Sequence, residues 1–124
     1  MMSHSAWDDH PDYNIDITLC IRQIKVVFNG KILAESKNTL QLKEQDYPPI
    51  YYFPRTDVRM ELFEQTSKST HCPFKGEAQH WALMADGKRV EVAAWSYLQP
   101  YEQVSAIQDH IAFYPEVIGE IIET

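Results

Sequence analysis

The chain has 124 residues, of which 44% are hydrophobic and 23% charged, a length and balance typical of one folded domain. They exclude a largely disordered chain, and no stretch comes near the roughly 18 consecutive apolar residues that a membrane-spanning helix needs. The net charge of −7 disfavours nucleic acid as a partner, because an acidic protein repels a phosphate backbone.

A loose arm is predicted at the start of the chain, over residues 1–13, with Trp7 as a candidate anchor onto the body. Residues 14–124 are predicted to form a single β domain. Residues 14–21 open this domain with the polar–apolar alternation of a half-buried strand.

The clearest local prediction is a β-hairpin around Asn29-Gly30. This dipeptide supplies the positive φ angles of a two-residue type I′ turn, and residues 25–28 and 31–34 on either side favour strands. Residues 39–42 alternate in the same way and are predicted to form the next strand.

More strands are predicted in the second half. Residues 50–53 are aromatic and β-favouring, and residues 58–63 alternate as a strand does, although Asp57 is also a candidate cap for a short helix there. Asp86-Gly87 indicates a second hairpin. The remaining candidates are the hairpin strands 78–84 and 90–97, a strand at 110–114, and a helical turn or final strand within 116–124.

Seven or eight short strands at this spacing predict a mostly β fold. We expect a small single-domain, barrel-like or sandwich-like antiparallel sheet with at most one or two short helices. Residues 1–12 lack the basic and apolar regions of a signal peptide, so we expect a cytoplasmic protein in which Cys20 and Cys72 are free thiols.

The sequence lacks the motifs of several common binding sites. Neither glycine-rich phosphate loop is present, and neither common zinc motif occurs. A metal site formed by Cys72 with His80 or His110 is an alternative, but we predict no metal. The sequence assigns no cofactor and no oligomeric state.

The densest candidate chemistry lies in the segment Thr-His-Cys-Pro-Phe-Lys-Gly at residues 70–76. Cys72 is a candidate nucleophile with the Lys75 ammonium three residues away, and Lys75 with the Gly76 backbone N–H is a candidate anion cradle. The alternative is that Cys72 packs as a small apolar residue and Pro-x-x-Gly forms a plain turn.

Two further clusters are candidate ligand contacts. A strand through Thr56 would place Arg55, Asp57 and Arg59 on one face, where they could bind an anion or form an ordinary surface ion-pair network. The aromatic candidates are Tyr52, Trp95 and Tyr97, and the alternative for them is the hydrophobic core.

The same segments resemble the bacterial domain-of-unknown-function family numbered four hundred and twenty-seven, sometimes labelled nucleotidyltransferase-like. The resemblance lies in residues 27–36, 47–58, 70–76, 94–97 and 111–114. Two positions depart from the family pattern. Glu35 stands where the family commonly has Asp, and Asp109 stands where the family often has Gly. The resemblance implies a mostly β domain but no established activity.

We therefore predict a β domain that binds a small anion, in a pocket formed by Tyr52, Arg55, Asp57, Cys72, Lys75, Trp95 and Tyr97, with Arg59 as a further contact. An enzyme is the alternative, with Cys72, Lys75 and Asp57 as catalytic residues. A nucleotidyltransferase usually needs paired carboxylates to hold two metal ions, and Asp57 and Glu61 would be the candidates for that role. A protein-interaction module is a third hypothesis, and we expect no membrane partner.

Overall fold

Ten β-strands, most of them joined by short turns, form the larger part of residues 5–124, the portion that the computed structural model describes apart from the Glu120 side chain. Residues 1–4 of the predicted arm lie outside the described residues. The strands are β1 (Ile15–Cys20), β2 (Ile24–Phe28), β3 (Lys31–Ser36), β4 (Thr39–Glu44), β5 (Ile50–Tyr52), β6 (Phe63–Cys72), β7 (Gly76–Ala85), β8 (Lys88–Ser96), β9 (Ile111–Phe113) and β10 (Glu120–Glu123). The helical segments are 3₁₀ turns at Ala6–Asp8, Arg55–Asp57, Met60–Leu62 and Glu102–Ile107, and the α-helix α1 (Pro115–Ile118).

Three antiparallel sheets contain these strands, in the orders β1-β4-β5, β10-β2-β3 and β6-β7-β8-β9. The fold is mostly β and sandwich-like without a closed barrel, which confirms the predicted class, although the described residues contain more strands than the seven or eight predicted. In the described part of the chain, no helix has the length and hydropathy to span a bilayer.

Both predicted hairpins are confirmed. Asn29 and Gly30 have φ angles of 49° and 78°, and Asp86 and Gly87 have φ angles of 55° and 73°, as a type I′ turn requires. Asp109 also has a positive φ, of 56°, so an aspartate holds the left-handed conformation where the resemblance pointed to glycine.

The predicted strand over residues 58–63 is wrong. The backbone N–H groups of Val58 and Leu62 donate to the carbonyls of Arg55 and Arg59, which closes two successive 3₁₀ turns, and Phe63 instead begins β6. Strand β6 was not predicted, because most of its side chains are polar and exposed. Its position at the edge of a sheet explains this composition.

The β6–β9 sheet contributes to two hydrophobic clusters, one from each face. Ile111 and Phe113 belong to the first cluster, whereas Ala112 between them belongs to the second, as the two-residue period of a strand dictates. Ile24 and Val26 of β2 join the first cluster. The second cluster receives Leu42 of β4 and Tyr52 of β5.

The C-terminal segment supplies both alternatives predicted for it, since α1 is followed by β10, which pairs with β2. Gly119 joins them with a φ of 101°, a conformation that L side chains rarely adopt. A Cβ atom at this position would lie 2.5 Å from the carbonyl oxygen of Val27. The turn therefore requires glycine for two reasons: its φ is positive, and a Cβ atom would clash with the backbone of Val27.

We expect Gly119→Ala to lower the free energy of unfolding by about 3 kcal/mol or more, because backbone strain and a clash with β2 add together. Gly87→Ala is the matched control, since Gly87 also has a positive φ but nothing within 4 Å of its missing Cβ, and it should cost about 1 kcal/mol. Urea unfolding of the two variants makes the comparison. Equal losses would contradict the close approach at Val27.

Candidate functional site

One face of the β6–β9 sheet carries a row of chemically reactive and aromatic side chains. Thr70 lies opposite Ala78, and His80 lies opposite Trp95, so the side chains of each pair point to the same face. Tyr97 lies two residues beyond Trp95, on the same face. The two-residue period of three neighbouring strands therefore builds the row.

A cavity of about 160 Å³ lies against this face, and we call it the tyrosine cavity. It is lined by Ile50, Tyr52, Thr70, Lys75, Ala78, His80, Trp95, Tyr97 and Tyr114. A volume of roughly 150 Å³ holds a molecule the size of benzene, so the cavity suits a small ligand. Its walls come from β5 and from all four strands of the β6–β9 sheet or the residues that follow them.

Four of the residues proposed from the sequence line this cavity: Tyr52, Lys75, Trp95 and Tyr97. Cys72 is linked to it through Lys75, because its thiol accepts a hydrogen bond from Lys75 Nζ at 3.8 Å. Thr70 and Tyr114 were not predicted as site residues, and His80 was predicted only as an alternative metal ligand. The signal that could have found them is the alternation Ala-x-His, Trp-x-Tyr and Ala-x-Tyr on neighbouring strands.

Lys75 forms an ion pair with Glu44 that is almost completely removed from solvent. Its Nζ donates to Glu44 Oε1 at 2.5 Å, and the two side chains are 7% and 16% exposed. The hydroxyl of Tyr13 donates to the other carboxylate oxygen at 2.6 Å. Burial opposes ionisation of Glu44, but the hydrogen bonds from Lys75 and Tyr13 outweigh it and hold the pKa of Glu44 below its ordinary value.

The described part of the predicted N-terminal arm packs against the turn that carries Lys75. The indole Nε1 of Trp7 donates to the carbonyl of Phe74 at 2.7 Å, and the Tyr13 ring stacks on the Phe74 ring at 3.7 Å between centroids. Trp7 itself is buried. These contacts bring the Tyr13 hydroxyl to Glu44, so residues 5–13 take part in the polar network beside the cavity.

His80 is a neutral polar group in the wall of the cavity. Its Nε2 and the Thr70 hydroxyl are hydrogen-bonded at 2.8 Å, and its ring lies parallel to that of Tyr114. Burial, assisted by the charge of Lys68, lowers the pKa of His80. The imidazole is therefore uncharged near neutral pH and can both accept and donate a hydrogen bond.

Three phenols surround the cavity and keep their protons. Burial is the main cause that raises the pKa of Tyr52, of Tyr97 and of Tyr114. The Tyr52 oxygen accepts a hydrogen bond from Trp95 Nε1 at 3.3 Å, which leaves the phenolic proton of Tyr52 available to donate. The cavity thus presents hydroxyl donors that stay neutral at physiological pH.

The structure does not bring Arg55, Asp57 and Arg59 together on one strand face, because residues 55–57 form a 3₁₀ turn. Arg55 pairs with Asp109 at 2.8 Å and lies over the Trp81 ring. Asp57 accepts a hydrogen bond from the Ser36 hydroxyl at 2.6 Å, and Arg59 pairs with Glu61 on the surface. None of the three lines the tyrosine cavity.

The carboxylates considered for metal binding have other partners. Asp57 and Glu61 stand in separate 3₁₀ turns, where Asp57 bonds to Ser36 and Glu61 to Arg59. Among the side chains that the structure describes, which leave out Glu120, no group of three or more from His, Cys, Asp or Glu is arranged to hold a metal ion. Cys72 and His80 do not form such a group.

The fold and the cavity define the class as a small antiparallel β domain with a polar, aromatic cavity against one sheet face. The family model described as "Domain of unknown function (DUF427)" matches residues 16–124. The chain belongs to this family, as its motifs indicated. No curated protein matches the chain significantly.

The buried ion pair leads to a test by double-mutant cycle. We expect Glu44→Gln and Lys75→Met each to cost about 3 kcal/mol of unfolding free energy, since each leaves a buried group without its partner. The double variant should cost less than the sum by about 2 kcal/mol. Arg59 and Glu61 provide an exposed control pair, for which we expect no measurable coupling. Additive losses at residues 44 and 75 would contradict a direct interaction.

The same pair predicts a pH dependence. A lowered pKa means that the stabilisation is present above the ordinary glutamate pKa of 4.5 and is lost as the pH falls through the lowered value. The difference in unfolding free energy between wild type and Glu44→Gln should stay constant from neutral pH to about pH 5 and then shrink. A difference that grows on acidification would contradict the assigned ion pair. Urea unfolding at a series of pH values measures it.

Proposed function

We propose that this protein is a small-molecule-binding domain whose ligand occupies the tyrosine cavity. The observation that supports the proposal is the concentration of one imidazole, one buried ammonium and three phenols around a single cavity of benzene-like volume. Lys75, His80 and Tyr52 each have a hydrogen-bond partner within the protein, so the support comes from their concentration at one cavity and from the protons that these partners leave free to donate.

The charges around the cavity favour a ligand with an accepting oxygen. Lys75 is neutralised by Glu44 at 2.5 Å, and His80 is uncharged near neutral pH. What remains is a smaller set of donors: the Tyr52 phenolic proton, and the Lys75 proton that neither Glu44 nor Cys72 takes, while Thr70 and His80 are bonded to each other. A carboxylate, an amide or a ketone offers the matching acceptor, and the small anion proposed from the sequence is one member of this class.

The volume of the cavity limits the size of the ligand. Sites for drug-sized molecules commonly measure about 300–1,000 Å³, whereas the tyrosine cavity measures about 160 Å³. A whole nucleotide exceeds this volume, which favours a simple binding domain over a nucleotidyltransferase acting at this cavity. The ligand, or the part of it that enters, is a fragment of a few non-hydrogen atoms.

The proposal can be tested by titrating the ¹⁵N-labelled protein with propionate, propionamide, cyclopentanone and benzene. We expect the three probes with acceptor oxygens to bind with dissociation constants of about 1 mM and to shift the resonances of Thr70, His80 and the Trp95 indole. Tyr52→Phe should weaken this binding about fivefold, the equivalent of one hydrogen bond of ~1 kcal/mol.

Tyr47→Phe is the matched control for that variant, because Tyr47 is 63% exposed and does not line the cavity. Propionate and propionamide have the same shape, so their relative affinity reports whether the cavity selects an anion or only an accepting oxygen. Shifts confined to other parts of the chain would refute the proposal, as would benzene binding more tightly than every oxygen-bearing probe.

A second candidate function is chemistry at Cys72, which the short distance from its Sγ to Lys75 Nζ supports. The thiolate is the nucleophilic form of cysteine, and a neighbouring ammonium favours it. Cys72 is half-buried, so a small reagent can reach it in the folded protein. This hypothesis makes Cys72 the catalytic residue and Lys75 its electrostatic partner.

We expect iodoacetamide at neutral pH to alkylate Cys72 in the folded protein several-fold faster than Cys20, a thiol of similar exposure without a lysine beside it. Lys75→Met should remove that difference. Peptide mass spectrometry after timed labelling separates the two sites. Labelling of Cys72 only after unfolding would show that its thiol has a packing role and would eliminate this candidate.

A further inference from the structure

A second and larger concavity lies beside the tyrosine cavity, and we call it the proline groove. It measures about 380 Å³ and is lined by Pro49, Ile50, Tyr51, Trp95, Phe113, Tyr114, Pro115, Glu116, Ile121 and Glu123. Ile50, Trp95 and Tyr114 line both sites, so the two adjoin through these side chains. Its volume lies within the range of sites for small organic molecules, roughly 300–1,000 Å³.

The walls of the groove are apolar and largely aromatic. Trp95 and Tyr114 meet with their ring centroids 4.5 Å apart and their planes tilted by 47°, so the two rings form an angled wall. Tyr51 adds a third ring, and the two prolines add rigid apolar edges, whereas Phe113 is 3% exposed and its ring packs against Phe53 and Phe63 in the core. Aromatic faces carry partial negative charge and attract cations placed over them.

The charged side chains among the described lining residues are both acidic. Glu116 is exposed in the first turn of α1, close enough to Tyr114 for its charge to act on the phenol. Glu123 accepts a hydrogen bond from the Tyr51 hydroxyl at 2.9 Å and forms a surface ion pair with Arg22. Arg22 does not line the groove, so it offsets part of the charge of Glu123 from outside.

We propose that the proline groove binds a small organic cation, an amine or quaternary ammonium with an apolar or aromatic body. The apolar body packs between the prolines and the rings, while the cationic centre lies over an aromatic face and near Glu116. An anion would meet two carboxylates and negative ring faces. This site adjoins the donor-lined tyrosine cavity but takes a different kind of ligand, a cation instead of a hydrogen-bond acceptor.

The test is a titration of the ¹⁵N-labelled protein with benzyltrimethylammonium, benzyl alcohol and benzoate. We expect the cation to bind about tenfold more tightly than the alcohol, and benzoate to bind most weakly, with shifts at Phe113, Glu116 and Ile121. Raising the salt concentration should weaken the cation selectively, since screening reduces only the charge-dependent part.

Two variants change the groove charge in opposite directions. Glu116→Gln should weaken cation binding about fivefold and leave the alcohol unchanged, whereas Arg22→Ala should tighten cation binding about twofold to threefold because it frees the Glu123 carboxylate. Arg59→Ala is the control, since Arg59 is a surface arginine that pairs with Glu61 and does not line the groove. A gain of affinity in Arg22→Ala cannot come from damage to the fold.

The inference is overturned if the alcohol binds as tightly as the cation, if neither Glu116→Gln nor Arg22→Ala alters cation affinity, or if the shifts map outside the groove. The resonances of Phe113 and Ile121 report the groove alone, and those of Thr70 and His80 report the tyrosine cavity alone. Failure at one site is therefore distinguishable from failure at the other.

Discussion

The pleat of the β6–β9 sheet is the constraint on which the rest of the structure depends. Successive residues of a strand point to opposite faces, so Ile111 and Phe113 enter one hydrophobic cluster while Ala112 enters the other. The same period brings Trp95 and Tyr97 to the face where His80 also points. A slip of one residue in this register would exchange core side chains for site side chains along the whole strand.

The ion pair of Lys75 and Glu44 connects this sheet to the rest of the chain. Lys75 stands in the turn after β6, Glu44 ends β4, and Tyr13 from the N-terminal segment donates to the same carboxylate. Because the charges cancel within a buried contact, the cavity beside them keeps polar donors without a net charge. A buried pair of this kind is costly to break, because removing one partner leaves an uncompensated charge where three segments distant in sequence meet.

Two adjoining sites with different chemistry result from this arrangement. Trp95 and Tyr114 take part in both, so the same rings meet a donor-rich cavity and an apolar groove with acidic side chains. Differences in charge, more than in apolar content, distinguish the ligands that we propose for the two. An occupant of one site would contact rings that the other also uses, which gives the two sites a direct physical connection.

The sequence by itself determined the features that depend on local interactions. The turn preferences of Asn29-Gly30 and Asp86-Gly87 placed both hairpins, and the period of two placed most strands, because backbone angles and side-chain alternation act over a few residues. Four residues that line the cavity were proposed from the sequence, among them Lys75, because it lies three residues after Cys72, and Trp95, because it shares a strand face with Tyr97. The polar strand β6 was missed, since an exposed edge strand needs no apolar alternation.

Only the tertiary structure decided which side chains meet. Arg55 and Arg59 are close in sequence but separate into different ion pairs, because 3₁₀ turns replace the predicted strand. Glu44 and Lys75 lie 31 residues apart and come within 2.5 Å, a contact that no local pattern encodes. Pairing between distant strands is selected by burial and by cross-strand packing over the whole domain, so the composition of each site is a property of the folded chain.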